Sequence, residues 1–288
     1  MNFKDRNKAP SSFQVRNKTP SQFQDKNKVS SNFQDRNKAT SWEPVESWYQ
    51  GIVGEKGHYY HQQVILPNLL KMMNLEKISG PSVLDLACGQ GVLGRAIPQN
   101  IPYVGFDIAP SFIKKAKQED RNPRHHYHVA DIAKMIEAPS ADFSHAVILL
   151  AIQNIENPLT AFKNAFSHLR SQGKFYIVMN HPCFRIPRQS SWQVDEKSKT
   201  QFRRIDSYMS DMSIPIQTHP GKGEVSPHTL SFHHSLSFYS SALKESGFCI
   251  SQIQEWCSDK VSTGKNAKME NRSRDEIPLF MTIEAIKM

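Results

Sequence analysis

From residue 83 onward, short apolar runs alternate with stretches whose apolar residues recur every three or four positions. Val83–Leu86, Tyr103–Asp107, 127–132, 145–150, 174–179 and Phe248–Trp256 have the length and composition of strands. A last strand is expected over 277–286. Between them, 92–97 has helical character up to Pro98, and Pro110 opens a helix carrying Phe112, Ile113 and Ala116. Leu159, Phe162, Phe166 and Leu169 mark another helix, with Gly173 expected to end it. Ser237 is the expected cap of one more, through Lys244 to Gly247. Strand–helix alternation of this kind predicts an α/β fold with a mostly parallel sheet and helices on both faces. The unbroken apolar run after His145 fits a strand buried on both sides. The chain end differs, running helix, strand, polar loop over 258–275, strand. With no helix between the final two strands, the last strand should be antiparallel.

Ahead of this region the pattern changes. A helix is expected from His58, with Val64, Ile65, Leu69, Leu70 and Met73 on one side and Pro67 either starting a new segment or kinking it. Residues 1–40 instead repeat with a period of ten: Phe3, Phe13, Phe23 and Phe33 each open a copy ending in Asn-Lys. Ten residues leave each Phe displaced by about 80° from the last around a helix, so no apolar stripe forms. One large apolar residue per copy cannot offset the cost of ordering the chain. Residues 1–41 are therefore expected to be disordered.

Charge sharpens this division. The repeats hold 9 Lys/Arg against 3 Asp, a net +6 of the chain's +9. The basic balance is mainly a property of that segment, with weak attraction to nucleic acid as one reading and a solvated duplication as the other. The four cysteines, Cys88, Cys183, Cys249 and Cys257, have no metal or redox spacing. They read as reduced thiols, which with no transmembrane run and no apolar leader predicts a cytoplasmic protein.

The chemistry concentrates where strands end. Val83-Leu84-Asp85-Leu86 runs into Ala87-Cys88-Gly89-Gln90-Gly91, a loop of small residues that lets backbone approach a ligand. A carboxylate at Asp85 does not suit a pyrophosphate; it suits an ammonium group. Asp107 ends the second strand, where nucleotide-binding folds present an acceptor to ribose hydroxyls. Asp131 ends the third strand. His126 and His128 share a strand face, but with no third ligand in view a sheet edge is preferred to a metal site.

These residues resemble the first motif and acidic strand ends of the class I S-adenosylmethionine (SAM)-dependent methyltransferase family. Ala87 stands where that family usually has its first glycine, while Gly89 and Gly91 are kept. The resemblance runs from about residue 45 to the C-terminus and implies a Rossmann-like domain over 81–288. It implies SAM as cofactor, with Asp85 near the ammonium group, Asp107 at the ribose, Ile108 against the adenine and Asp131 with Ile132 at the adenine amino group. The loop after Leu149 would lie beside the sulfonium. Residues 42–80 resemble the helical cap such enzymes fold over the cofactor, making Tyr49, Tyr60 and His61 candidate pocket residues.

Residues 181–235 are too long for a simple crossover and sit where this fold commonly carries a substrate cover. Arg203-Arg204 within it reads either as an anion site or as a solvated charge pair. His181 and His233 are the candidate general bases. The implied function is methyl transfer to a small-molecule acceptor. An RNA methyltransferase using the basic repeats, and a non-catalytic SAM-binding protein, are the alternatives. The core shows no dense basic patch and no RNA-binding motif, which disfavours nucleic acid.

Overall fold

The computed structural model describes residues 57–217 and 228–288. The repeat segment, Tyr49 and the first part of the cap lie outside the described residues. Eleven strands are described: β1 (Val83–Leu86), β2 (Tyr103–Asp107), β3 (His125–Val129), β4 (Phe143–Leu149), β5 (Leu169–Asn180), β6 (Ser190–Asp195), β7 (Thr200–Ile205), β8 (Met212–Gln217), β9 (His228–His233), β10 (Phe248–Trp256) and β11 (Phe280–Lys287). The α-helices are α1 (Leu66–Met73), α2 (Pro110–Glu119), α3 (Leu159–His168), α4 (Leu236–Glu245) and α5 (Ala267–Glu276).

Seven strands form one sheet in the order β10-β11-β5-β4-β1-β2-β3. The strands from β3 to β5 pair in parallel. β11 pairs antiparallel with β5 and with β10, so the expected antiparallel ending is present. Alternate residues of each central strand enter opposite cores. Leu84, Leu86, Ile148, Ile177 and Met179 pack with Phe162 of α3 and Leu243 of α4. Val83, Val147, Tyr176 and Val178 pack with Leu69 of α1 and Ile113 of α2. Both faces are covered, which is why these strands read as continuous apolar runs.

Several local expectations are corrected. The helix expected over 92–97 is only a 3₁₀ turn, Gly94–Ala96. A Cβ on Gly94 would stand 2.3 Å from the Tyr127 hydroxyl, so this turn is pressed against β3, and Pro98 stops it from lengthening. α3 ends at His168 rather than at Gly173, and the chain enters β5 immediately. α4 is capped by Ser235, whose Oγ accepts from the Phe238 N–H, rather than by Ser237. α5 lies inside the expected loop over 258–275; Ser273 alone in it is buried, so it has no apolar stripe to reveal it. The helix around α1 reaches Pro67 through a π-turn, His61–Ile65. Pro67 falls in the first turn of α1, where an N–H has no intrahelical partner, so it starts a new helical segment after the π-turn.

Two backbone features shape the C-terminal edge of the sheet. Ala87 adopts φ +67° and Leu150 φ +53°, at the ends of β1 and β4. Left-handed conformations cost an L-residue about 1–2 kcal/mol. The segment after β3 is held by α3. Asn164 is fully buried and donates to the carbonyls of Ile132 (3.0 Å) and Lys134 (2.7 Å), while accepting from the Ile136 N–H (3.1 Å).

Among the described residues of 181–235, β6 pairs antiparallel with β7 and β8 with β9, both outside the main sheet. No helix among the described residues is long and apolar enough to cross a membrane.

Ala87→Gly should raise unfolding free energy by about 1 kcal/mol, read from denaturant titration, because glycine takes the left-handed conformation without strain. Asn164→Ala should lower it by about 3 kcal/mol, since three buried backbone groups lose their partner together. A loss below about 1 kcal/mol would show that the 132–136 loop does not depend on α3.

Candidate cofactor and active site

A cavity of about 900 Å³ opens at the C-terminal ends of β1, β2 and β4. The sheet order reverses beside β1, so this is the crevice where open α/β sheets bind ligands. Asp85, Ala87, Gly89, Asp107, Ile108, Asp131, Ile132, Leu149 and Tyr60 all line it. Nine residues expected from sequence thus converge on one space from five segments of the chain.

Asp107 is the fixed point of this wall. It is buried, and its Oδ2 accepts from the Gly89 N–H (2.8 Å) while Oδ1 accepts from the Ala109 N–H (2.9 Å). One carboxylate therefore holds the glycine loop against the start of α2. Gly91 does not line the cavity. At φ +74° it lies over Tyr127, whose hydroxyl would be 2.8 Å from an added Cβ. Its glycine is required by packing beneath the loop, not by approach to a ligand.

Asp85 is buried against Tyr103, whose hydroxyl donates to its Oδ2 at 2.6 Å. Oδ1 has no hydrogen-bond partner. Burial pushes this carboxyl up to about 7; the Asp107 charge adds to the shift, while the Tyr103 hydroxyl opposes it. The neighbouring Gln90 is also buried, and its Nε2 has no partner. An unpaired acceptor and an unpaired donor thus both belong to residues of the cavity wall. Unpartnered buried groups are uncommon and mark a place where a ligand supplies the missing bonds. The loop, Asp85 and Asp107 fit a ligand with an amino-acid end and a ribose.

On the far side, Asp131 lies two residues beyond the end of β3 rather than on it. Its Oδ1 accepts from the Ala133 N–H at 3.0 Å, turning the chain so that Ile132 enters the wall. Ile108 is 41% exposed, an apolar side chain left for a flat ligand to cover.

The cap contributes Tyr60, His58 and His61. The Tyr60 hydroxyl and the Ser258 hydroxyl are 2.9 Å apart, and its ring meets Phe280 edge-on, which ties the cap to the last strands. His61 accepts from the His58 N–H through Nδ1, leaving the proton on Nε2. Burial, and then the nearby His58, push His61 down to about 4, so it stays neutral.

The two candidate bases lie elsewhere. His181 is buried just past β5, with Nε2 2.6 Å from Glu255 Oε1 and Nδ1 accepting from the Cys183 N–H. His233 donates from Nε2 to the Tyr208 carbonyl at 2.9 Å. Neither lines the cavity. The structure thus corrects their assignment: His181 has both ring nitrogens engaged, and His233 is turned to the 208 loop. The insertion is also not a lining element among its described residues. It leans on the cavity rim instead, where His234 bridges Asp211 and the carbonyl of Glu156, a lining residue. Asn154, in the loop expected beside the sulfonium, lines the cavity, while residues missed from sequence include Gln90, Leu150 and Asn180. Asn180 gives a partial signal as the polar end of β5; the others carry none. Among the described residues no group of three or more His, Cys, Asp or Glu is placed to hold a metal ion.

Comparison with known proteins agrees with this geometry. Residues 83–173 match the methyltransferase domain family. No curated protein matched the sequence. Solved structures with the same fold include a SAM-dependent methyltransferase from Mesorhizobium loti, 23% identical over 76% of this chain and 96% of that one, TM-score 0.58. A candidate enzyme of the same class from Listeria monocytogenes is 23% identical over 77% and 98%, TM-score 0.58. The glycopeptide N-methyltransferase MtfA, solved with SAM, is 14% identical over 77% and 94%, TM-score 0.53. At such identities the likeness establishes the fold, while the match over residues 83–173 covers the glycine loop and all three acidic strand ends. Residues 83–173 are thus similar to the methyltransferase domain family, and the chain has the fold of SAM-dependent methyltransferases.

Proposed function

We propose that the protein transfers the methyl group of SAM to a small-molecule acceptor. The observation that carries this reading is the convergence of Asp85, Asp107 and Asp131 on one cavity around Gly89. Asp85 and Gln90 would take the amino-acid end, Asp107 at the end of β2 the ribose, and Ile108, Asp131 and Ile132 the adenine. SAM, when bound, supplies a methyl group already activated by the adjacent sulfonium charge. What remains for the chain is to bind, orient and exclude water. Leu149 and Leu150 at the end of β4, with Asn154 and Asn180 beside them, form the wall where the acceptor would be aligned. The neutral His61 presents an N–H rather than a basic nitrogen. It suits orientation better than proton abstraction.

The basic repeats supply the one observation favouring a second reading, electrostatic capture of RNA. Against it, the described cavity is lined by four acidic residues, Asp85, Asp107, Asp131 and Glu156, against one lysine, Lys134.

SAM affinity should depend on pH through Asp85. The ammonium group favours the carboxylate form, so binding below pH 7 must expel the proton. Affinity should rise by up to about tenfold per pH unit towards pH 7 and then level off. Calorimetry in two buffers of different ionisation enthalpy reads the released proton, and Asp85→Asn should flatten the profile. Stability has the opposite slope. The folded protein keeps a proton that the unfolded chain loses from about pH 4 upward. This contribution favours folding in acid and is lost as pH rises through about 7. Asp107→Ala should cost about 1–3 kcal/mol of SAM binding, and a full-strength Asp107→Ala complex would overturn the ribose assignment.

Removal of residues 1–40 separates the two readings. Turnover of a small acceptor should be unchanged at low and high salt. A sharp loss of RNA methylation confined to low salt would favour the second reading.

A further inference from the structure

Just beyond the cavity, the chain leaving β5 passes His181 and reaches Arg185. There two guanidinium groups face one indole. The Cζ of Arg185 lies 5.5 Å from the Trp192 ring centroid and that of Arg203 lies 5.3 Å from it. Arg203 is anchored, donating from Nε to the Phe184 carbonyl (2.8 Å) and from Nη2 to Ser190 Oγ (2.7 Å). Arg185 is not. Its Nε is buried without a partner, and the guanidinium makes no hydrogen bond or ion pair to any described residue.

The pair is also short of negative charge. Among the described residues neither arginine pairs with a carboxylate, whereas the adjacent Arg204 pairs with Asp206. Glu255, at the same corner, is bonded to His181. Burial, and then the Arg203 charge, lower Arg185 to about 10, so it remains a cation at neutral pH. A half-buried cation next to a second cation, with an unsatisfied N–H, is costly unless something anionic completes it. Tyr60, a cavity-lining residue, is within electrostatic reach of Arg185, and Asn180, another, precedes it by one short turn. The site thus adjoins the end of the cavity nearest β5, away from Asp131.

We propose that Arg185, backed by Arg203 across Trp192, binds an oxyanion carried by the methyl acceptor, a carboxylate or a phosphate ester. This rests on the methyl-transfer reading and narrows it to acidic small molecules. Arg185 offers a planar fork that matches either oxyanion. Arg203 and Trp192 hold that fork in place, and the bond of Arg203 to Phe184 fixes the turn that carries Arg185. Two guanidiniums in a recess suit a single anionic group, not a phosphate track.

The test has two arms on the full-length protein. In the first, the Nε–Hε resonances of the arginines are followed by NMR during titration with inorganic phosphate and with benzoate, against chloride. The Arg185 and Arg203 signals should shift together while that of Arg204 stays. Unmoved signals would overturn the proposal, whether or not SAM binds or methyl transfer occurs. In the second arm, labelled SAM is offered with matched acceptors, free acid against its amide and phosphate ester against its parent alcohol. The charged member should be preferred at least tenfold in kcat/KM, and which charged member wins distinguishes carboxylate from phosphate. Arg185→Gln, which removes no structural hydrogen bond, should abolish that preference and leave SAM affinity within twofold. Preference for neutral acceptors, or methylation of RNA but not of small acids, would overturn it. Normal SAM binding and arginine shifts with no turnover of any acceptor would sink the methyl-transfer reading and leave the anion site standing.

Discussion

The site depends on one carboxylate. Asp107 receives the N–H of Gly89 from the loop after β1 and the N–H of Ala109 at the entrance to α2. These groups come from different strand–helix units, and no other side chain is bonded to both. Without Asp107, the glycine loop would keep its sequence but lose its position over the sheet edge. The residue proposed to meet the ribose is thus also the residue that builds the recess. That economy explains why a buried charge is tolerated here: its hydrogen bonds to backbone N–H groups replace the water it gave up.

Around it, unfavourable features gather at the strand ends. Asp85 is buried with one oxygen unbonded, Gln90 has an unpaired amide, and Ala87 and Leu150 hold left-handed backbone conformations. Each costs stability by itself, and all of them face the same cavity. Packing elsewhere supports them. Two fully buried apolar layers clamp β1 and β4, and Tyr103 and Tyr127 fill the space under the loop. Strain of this kind persists where surrounding structure over-determines it, and it is concentrated where a ligand would relieve it.

The hairpins of 181–235 and the helix α5 form a second tier. Ser273 of α5 donates to Gln201 on β7, Arg203 on β7 holds the Phe184 turn, and His234 bridges to Glu156 on the rim. Their described side chains shape the surroundings of the cavity without lining it.

The sequence alone determined the sheet, its parallel body and antiparallel end, and the acidic strand ends. Those features rest on local patterns: apolar runs of strand length, helical spacing, and one polar residue where each run stops. It also marked Ala87 as an oddity in a glycine position. Tertiary structure decided the rest. Gly91 proved to be a packing glycine because Tyr127, 36 positions later, lies beneath it. His181 was withdrawn from the cavity because Glu255 reaches across from β10 to bond it. Gln90 and Asn164 matter through burial and through partners, present or missing, that no local pattern encodes. Helix α5 was invisible because it buries almost nothing and so leaves no periodic stripe. The positions of the strands along the chain follow from short-range pattern, but a side chain's role depends on which distant groups burial leaves within hydrogen-bond reach, and that is set only when the sheet closes.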